Sequence, residues 1–301
     1  MDSLLTLISV LIPLFLGFFI SVPKHYVRLV DKALAWLVYI ILLLIGVSLS
    51  RVDNLVAQLD TIAGAAALLC GCVMGMNLLV LMWFDRRYPR QTQGSGKKSR
   101  VSMAGSARQL GCVAAGFVLG KAMAGHWLPP ESTGNYCLML MVLLVGVQLR
   151  SSGITLRQVL VNRRGVQTGV LFTVSSLVGG IVFAALMPEV SWSKGLALAS
   201  GFGWYSLSGI VMTEAYGPVW GSIALLNDLS REFFALVFIP VLMRKHPSAA
   251  VGSGGATSMD FTLPVIQSSG GLQVVPLAIS FGFIVNVLAP FLMVVFSNMH
   301  F

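Results

Sequence analysis

The sequence predicts an all-α polytopic membrane protein, and three observations carry that prediction. Hydrophobic residues make up 56% of the 301-residue chain and charged ones only 10%, far from the balance of a soluble domain. Uncharged apolar stretches of about 20 residues, enough to cross a bilayer core as a helix, recur along it. They are long, glycine-rich runs rather than alternating segments of about ten residues, which excludes an outer-membrane barrel.

The stretches lie at 3–21, 33–50, 61–84, 132–149, 165–188, 195–213 and 261–299, and 109–130 joins them despite Lys121. The first has Asp2 before it, no basic n-region and no clear small-residue cleavage site, so it reads as a retained span rather than a signal peptide. Cys70, Cys72, Cys112 and Cys137 fall in or beside apolar spans. Their spacing suggests neither a disulfide framework nor a metal site, so they read as small packing residues, with no cofactor expected.

A net charge of +9 could suggest nucleic acid, but the positions of the basic residues say otherwise. Lys24, Arg28 and Lys32 lie in the first connection, seven basic residues in 85–108, and Arg150, Arg157, Arg163 and Arg164 in 150–164. The connections between are poor in them: 51–60 sets Arg51 against Asp53 and Asp60, 125–131 has Glu131 alone, and 188–194 sets Lys194 against Glu189. By the positive-inside rule the basic loops are cytoplasmic and the amino terminus is outside. The tract Gln93-Gly94-Ser95-Gly96-Lys97-Lys98 reads as part of a flexible topogenic loop, with a lipid or protein tether as the alternative.

An internal repeat underlies this alternation. Leu16-Gly17-Phe18 recurs as Ala115-Gly116-Phe117, and Leu44-Ile45-Gly46-Val47-Ser48-Leu49 as Leu144-Val145-Gly146-Val147-Gln148-Leu149, at offsets of 99 and 100 residues. With three spans between copies, spans 1–3 and 4–6 would have opposite orientations, as in many secondary transporters. The expected organisation is therefore a three-span repeat at 1–84, a basic cytoplasmic loop at 85–108, a second repeat at 109–188 and a site-bearing region at 193–301.

The chemistry lies in that last region. Gly201-Phe202-Gly203-Trp204-Tyr205-Ser206-Leu207-Ser208-Gly209 interrupts one apolar run, and Gly254-Gly255-Ala256-Thr257-Ser258-Met259-Asp260-Phe261-Thr262-Leu263-Pro264 forms a second break. Non-helical backbone at membrane depth survives only when buried in protein or lining a cavity, so two breaks point to a site. Between them, 218–243 has span length and carries Asn227-Asp228-Leu229-Ser230-Arg231-Glu232 in its middle. On a helix Asp228 and Glu232 share a face, and Arg231 reaches Asp228. Such charges imply a polar cavity or tight mutual pairing.

If both broken stretches crossed fully there would be ten spans, with Arg244-Lys245-His246 outside. Re-entrant hairpins at 193–217 and 247–270 instead give eight spans, both termini outside, and 16 of the 20 basic residues inside. The second scheme is preferred, and its hairpins meet near the midplane from opposite sides.

The two glycine-rich breaks, the Asn227–Glu232 run and Val161-Asn162-Arg163-Arg164-Gly165 together resemble the lysine exporter LysO family over nearly the whole chain. The resemblance implies an eight-span exporter of L-lysine in the bacterial inner membrane, periplasmic at both ends. It also implies that membrane-embedded acidic residues, here Glu232 and Asp260, are required for transport.

The physics suits a cationic substrate. Moving one positive charge outward against an inside-negative potential costs about 2.3 kcal/mol per 100 mV, and exchange for one proton cancels that cost. Glu232 and Asp260 would hold the ammonium groups and exchange protons for them, with Asp228, Arg231 and Asn227 in support. Ser206, Ser208, Thr257, Ser258 and Thr262, with backbone N–H groups of the breaks, would meet the carboxylate. Trp204 and Tyr205 either pack or stack on an ammonium. Lys121 either snorkels or partners a buried acid, and Glu214 stays secondary. The expected partners are L-lysine, protons and lipid, with no nucleic acid, and homo-oligomerisation stays open.

Against an intramembrane enzyme, neither Asp228 nor Asp260 has a Gly-x-Gly-Asp context. The four histidines lie at or outside span ends without a His-Glu-x-x-His motif. The residues by themselves leave two further readings, an exporter of another small charged metabolite and an uncoupled channel or sensor; coupled counterflow separates the channel from an exporter.

Overall fold

The computed structural model describes residues 12–13, 16–17, 19–20, 22–51, 55–89, 104–123, 129–130, 132–151 and 162–299. Helices α1 (Lys24–Ser50), α2 (Leu55–Arg87), α3 (Ala104–Ala122), α4 (Ser132–Ser151) and α5 (Arg163–Leu186) come first. They are followed by α6 (Trp192–Ala199), α7 (Tyr205–Tyr216), α8 (Pro218–Leu242), α9 (Pro247–Gly254), α10 (Leu263–Gly270) and α11 (Val275–Ser297). Among the described residues there is no strand. Among the described residues four helical stretches, Tyr26–Ser50, Leu59–Arg87, Arg163–Leu186 and Leu272–Ser297, are long and apolar enough to cross a membrane. Most of the expected span 3–21, the tract 90–103 and Asp53 lie outside the described residues.

The helices run past their apolar windows. Lys24, Arg28 and Lys32, expected in a connection, belong to α1, which starts directly after Pro23. Arg86 and Arg87 form the last turn of α2. Hydropathy marks the hydrocarbon core, whereas helical hydrogen bonding continues into the interface, where basic side chains find water and headgroups.

Helix α5 shows the polarity that lipid imposes. Its exposed large residues include Val170, Val174, Ile181 and Val182, whereas its buried face holds Gly165, Thr168, Gly169, Ser175, Ser176 and Gly179 beside Phe172 and Phe183. Small and polar groups point inward because close packing and hydrogen bonds, not apolar burial, join helices in a bilayer.

The chain forms two compact units. The first comprises 1–63, 104–154 and 206–225, and so holds α1, α3, α4, nearly all of α7 and the start of α8. Its contacts depend on missing side chains: a Cβ on Gly17 would meet the Leu143 carbonyl, one on Gly116 the Leu43 carbonyl, and one on Gly46 the backbone of Val113 and Phe117. Gly221 on α8 faces Thr213 and the Gly209 carbonyl of α7 with equally little room.

The second unit comprises 64–103, 155–205 and 226–301. Here α2 and α5 approach where a Cβ on Gly179 would meet Val73, and α5 and α6 where Gly180 faces Gly195. Ser175 and Ser176 donate to Oδ1 of buried Asn77, at 2.5 and 3.1 Å. At one end of the unit Asp85 receives Arg164 at 2.5 Å and the first backbone N–H groups of α9, Ser248 at 2.9 Å and Ala249 at 3.1 Å. A carboxylate there satisfies amides that have no helical acceptor, and it favours the positive end of the helix dipole.

Candidate functional site

Both predicted breaks are present. Turn residues 200–204 separate α6 from α7, and a 3₁₀ turn, Gly255–Met259, separates α9 from α10. The turns meet inside the second unit, where the Ala256 N–H donates to the Phe202 carbonyl at 2.8 Å. Phe202 is a non-glycine residue at positive φ (52°) and is wholly buried. Its ring packs edge-on against Phe172, which packs edge-on against Phe281. Backbone strain of this kind persists only where the surroundings fix it. Gly255 permits the approach, because its φ is +57° and a Cβ there would strike the Phe202 carbonyl.

The charged run of α8 faces this crossing. Asp228, Arg231 and Glu232 are 0%, 1% and 3% exposed. The Gly203 N–H donates to Asp228 Oδ1 at 3.2 Å, and Asn227 Nδ2 donates to the same oxygen at 2.9 Å. The Arg231 guanidinium lies over the Phe172 ring, 5.3 Å from its centroid, with Nη2 beside Gly255. None of its nitrogens has a hydrogen-bond acceptor among the described residues. It feels the charge of Asp228, and burying a guanidinium with five N–H donors is expensive.

Asp260 sits differently. It follows the 3₁₀ turn, is exposed, and accepts the N–H of Phe261. The candidate hydroxyls are largely spent on the turn itself: Thr257 donates to the Gly254 carbonyl at 2.8 Å, Ser258 to Val251 at 2.6 Å, and Thr262 to Thr257 at 3.0 Å. Trp204 and Tyr205 are half-buried beside the first turn, in the second unit. Ser206 and Ser208 are buried but belong to the first unit, where Ser206 Oγ contacts Met141 Sδ at 3.5 Å.

Three residues that the sequence did not assign to the site, one of them Cys70, read there as a packing residue, complete the surroundings. Cys70 of α2 lies close enough to interact electrostatically with both Asp228 and Arg231. Phe172 carries the guanidinium on its face. Asn286, buried in α11, donates to the carbonyls of Ala256 and Gly282, each at 2.8 Å, and so ties the second turn to the last helix. An asparagine within so apolar a run was a legible signal; nothing local marked Cys70 or Phe172.

The profile of the family described as lysine exporter LysO matches residues 110–297. The chain belongs to this family. Among LysO-type relatives, the Lysine exporter LysO of Escherichia coli (strain K12) is 42% identical over 295 residues, 97% of this chain and 98% of the relative. A Putative lysine exporter of Haemophilus influenzae (strain ATCC 51907 / DSM 11121 / KW20 / Rd) is 48% identical over 190 residues, 63% of this chain and 96% of its own. No solved structure matches the chain. The LysO match contains both breaks and the α8 charges; Cys70, Asn77 and Asp85 precede it but fall within the length shared with the first relative.

Proposed function

We propose that the chain exports L-lysine and close cationic analogues across the bacterial inner membrane in exchange for protons. Family membership supports the substrate, and the buried cluster on α8 supports the exchange. The observation that carries the reading is the Asp228, Arg231 and Glu232 set, which holds two acids and one base almost fully buried. One excess negative charge in such a place costs several kcal/mol unless a proton or a cation neutralises it. A proton and a lysine ammonium therefore compete for the same carboxylates, which is the condition for exchange.

In this scheme Glu232 and Asp260 take the ammonium groups and the protons. Arg231 takes the substrate carboxylate, a role its acceptor-less guanidinium suits better than the turn hydroxyls do, and Asn227 and the Gly203 N–H hold Asp228 in place. Trp204 and Tyr205 flank the first turn. The asymmetry between buried Glu232 and exposed Asp260 fits one acid facing the core while the other faces an access route.

The proposed architecture has eight spans, both termini periplasmic, re-entrant hairpins at 193–217 and 247–270, and inverted repeats of spans 1–3 and 4–6. The reciprocal contacts of Gly17 with Leu143 and Gly116 with Leu43, at near-constant offset, support the repeat. Counterflow in proteoliposomes tests the function: lysine moving one way should carry protons the other, and lysine flux without proton movement would contradict the exchange.

A further inference from the structure

The first unit contains a cavity of about 490 Å³, within the usual range of small-molecule sites. It lies at the Ser50 end of α1, opposite Lys24, Arg28 and Lys32, and the Pro129–Pro130 segment and the junction of α7 with α8 close its sides. Apolar walls from α1 alternate with Ser48 and Thr213, and among the described residues the lining contains one guanidinium, Arg51, and one carboxylate, Glu214. Arg51 is held in place by the Pro129 carbonyl, 2.6 Å from Nη2. Glu214 is exposed. The cavity shares no residue with the cluster on α8, since both of its charges belong to the first unit.

A cavity carrying a guanidinium and a carboxyl group on apolar walls fits a ligand with its own carboxylate and ammonium and an aliphatic body between. A guanidinium matches a carboxylate in planar, forked geometry, and a carboxylate matches an ammonium as a point charge. We infer that this cavity is a second binding site for a cationic amino acid, with the ligand carboxylate at Arg51 and an ammonium group at Glu214. In the orientation proposed above it lies on the outward side, which makes it an exit station for exported substrate. The choice of a cationic amino acid rests on the function proposed above.

Equilibrium binding of labelled L-lysine to the full-length chain in lipid nanodiscs tests this, with the E232Q/D260N double variant as background so that the α8 site is disabled. Saturable lysine binding should survive in that background, and E214Q or R51Q should weaken it at least tenfold. Competition by the decarboxylated diamine of lysine, which lacks the carboxylate, separates the two roles. The site should prefer lysine to the diamine at least tenfold, R51Q should erase the preference, and E214Q should weaken both ligands. R51K and E214D, which keep the charges, should fall between. Should R51Q misfold, E214Q alone decides the outcome, because removing an exposed carboxylate strands no buried charge. No residual lysine binding in the background, or binding unchanged by E214Q, overturns the inference. Failure of the unmodified chain to transport lysine would instead count against the proposed function, so the two failures are distinguishable.

Discussion

The Arg231 guanidinium lies 5.3 Å from the centroid of the Phe172 ring, at a point where no hydrogen-bond acceptor among the described residues reaches it. The arrangement keeps a positive charge in the core next to Asp228 without using up its donors, which are then available to a carboxylate. R231K keeps the charge but loses the fork, so lysine transport should fall at least tenfold with the protein still folded. R231Q leaves Asp228 unbalanced and should also lower stability, by about 3–5 kcal/mol. Initial transport rates alongside thermal unfolding in detergent separate the two effects; an R231K variant with the parent's rate contradicts the carboxylate role.

Gly255 should tolerate no side chain. Its φ of +57° and ψ of −136° are nearly exclusive to glycine, and a Cβ would strike the Phe202 carbonyl. G255A should cost about 1–3 kcal/mol from the backbone alone, read as a lowered unfolding midpoint. An unchanged midpoint would mean that the two turns do not meet as described.

The first break, its aromatic and hydroxyl residues, and the charged run of α8 were legible because glycine, proline and charge stand out against an apolar background. The uses of the hydroxyls were not. Ser258 looked like a substrate donor, but its nearest acceptor is the Val251 carbonyl on the preceding helix, a local bond of the kind that competes for every serine and threonine in a tight turn. Asp85 looked like the start of a basic loop, yet it caps α9, more than 160 residues downstream. Pairings across such separations leave no trace in spacing.

That cap supplies another test. Asp85 accepts from Arg164 and from two backbone amides of α9, so D85N and R164Q should each destabilise the protein by about 1.5–3 kcal/mol. The double variant should cost less than the sum, because the pair shares one interaction. Strict additivity in the unfolding midpoints would show that the pair contributes nothing.

The repeat has its own consequence. G17A and G116A should cost similar amounts, since each pushes a methyl group into a backbone carbonyl of a neighbouring helix, Leu143 or Leu43. Gly64 has open space around its Cβ position, so G64A should be neutral or gain about 1 kcal/mol from helix propensity. Unfolding midpoints that separate G17A from G116A widely would contradict equivalence of the two positions.

Exchange of lysine for protons at the carboxylates of the second unit is open to a direct measurement. Labelled L-lysine is offered to inside-out membrane vesicles, whose lumen corresponds to the cell exterior, with and without an imposed acidic lumen. Proton-coupled exchange requires accumulation that depends on the gradient and is lost in E232Q and in D260N. Gradient-independent equilibration, or undiminished accumulation by either variant, would contradict it.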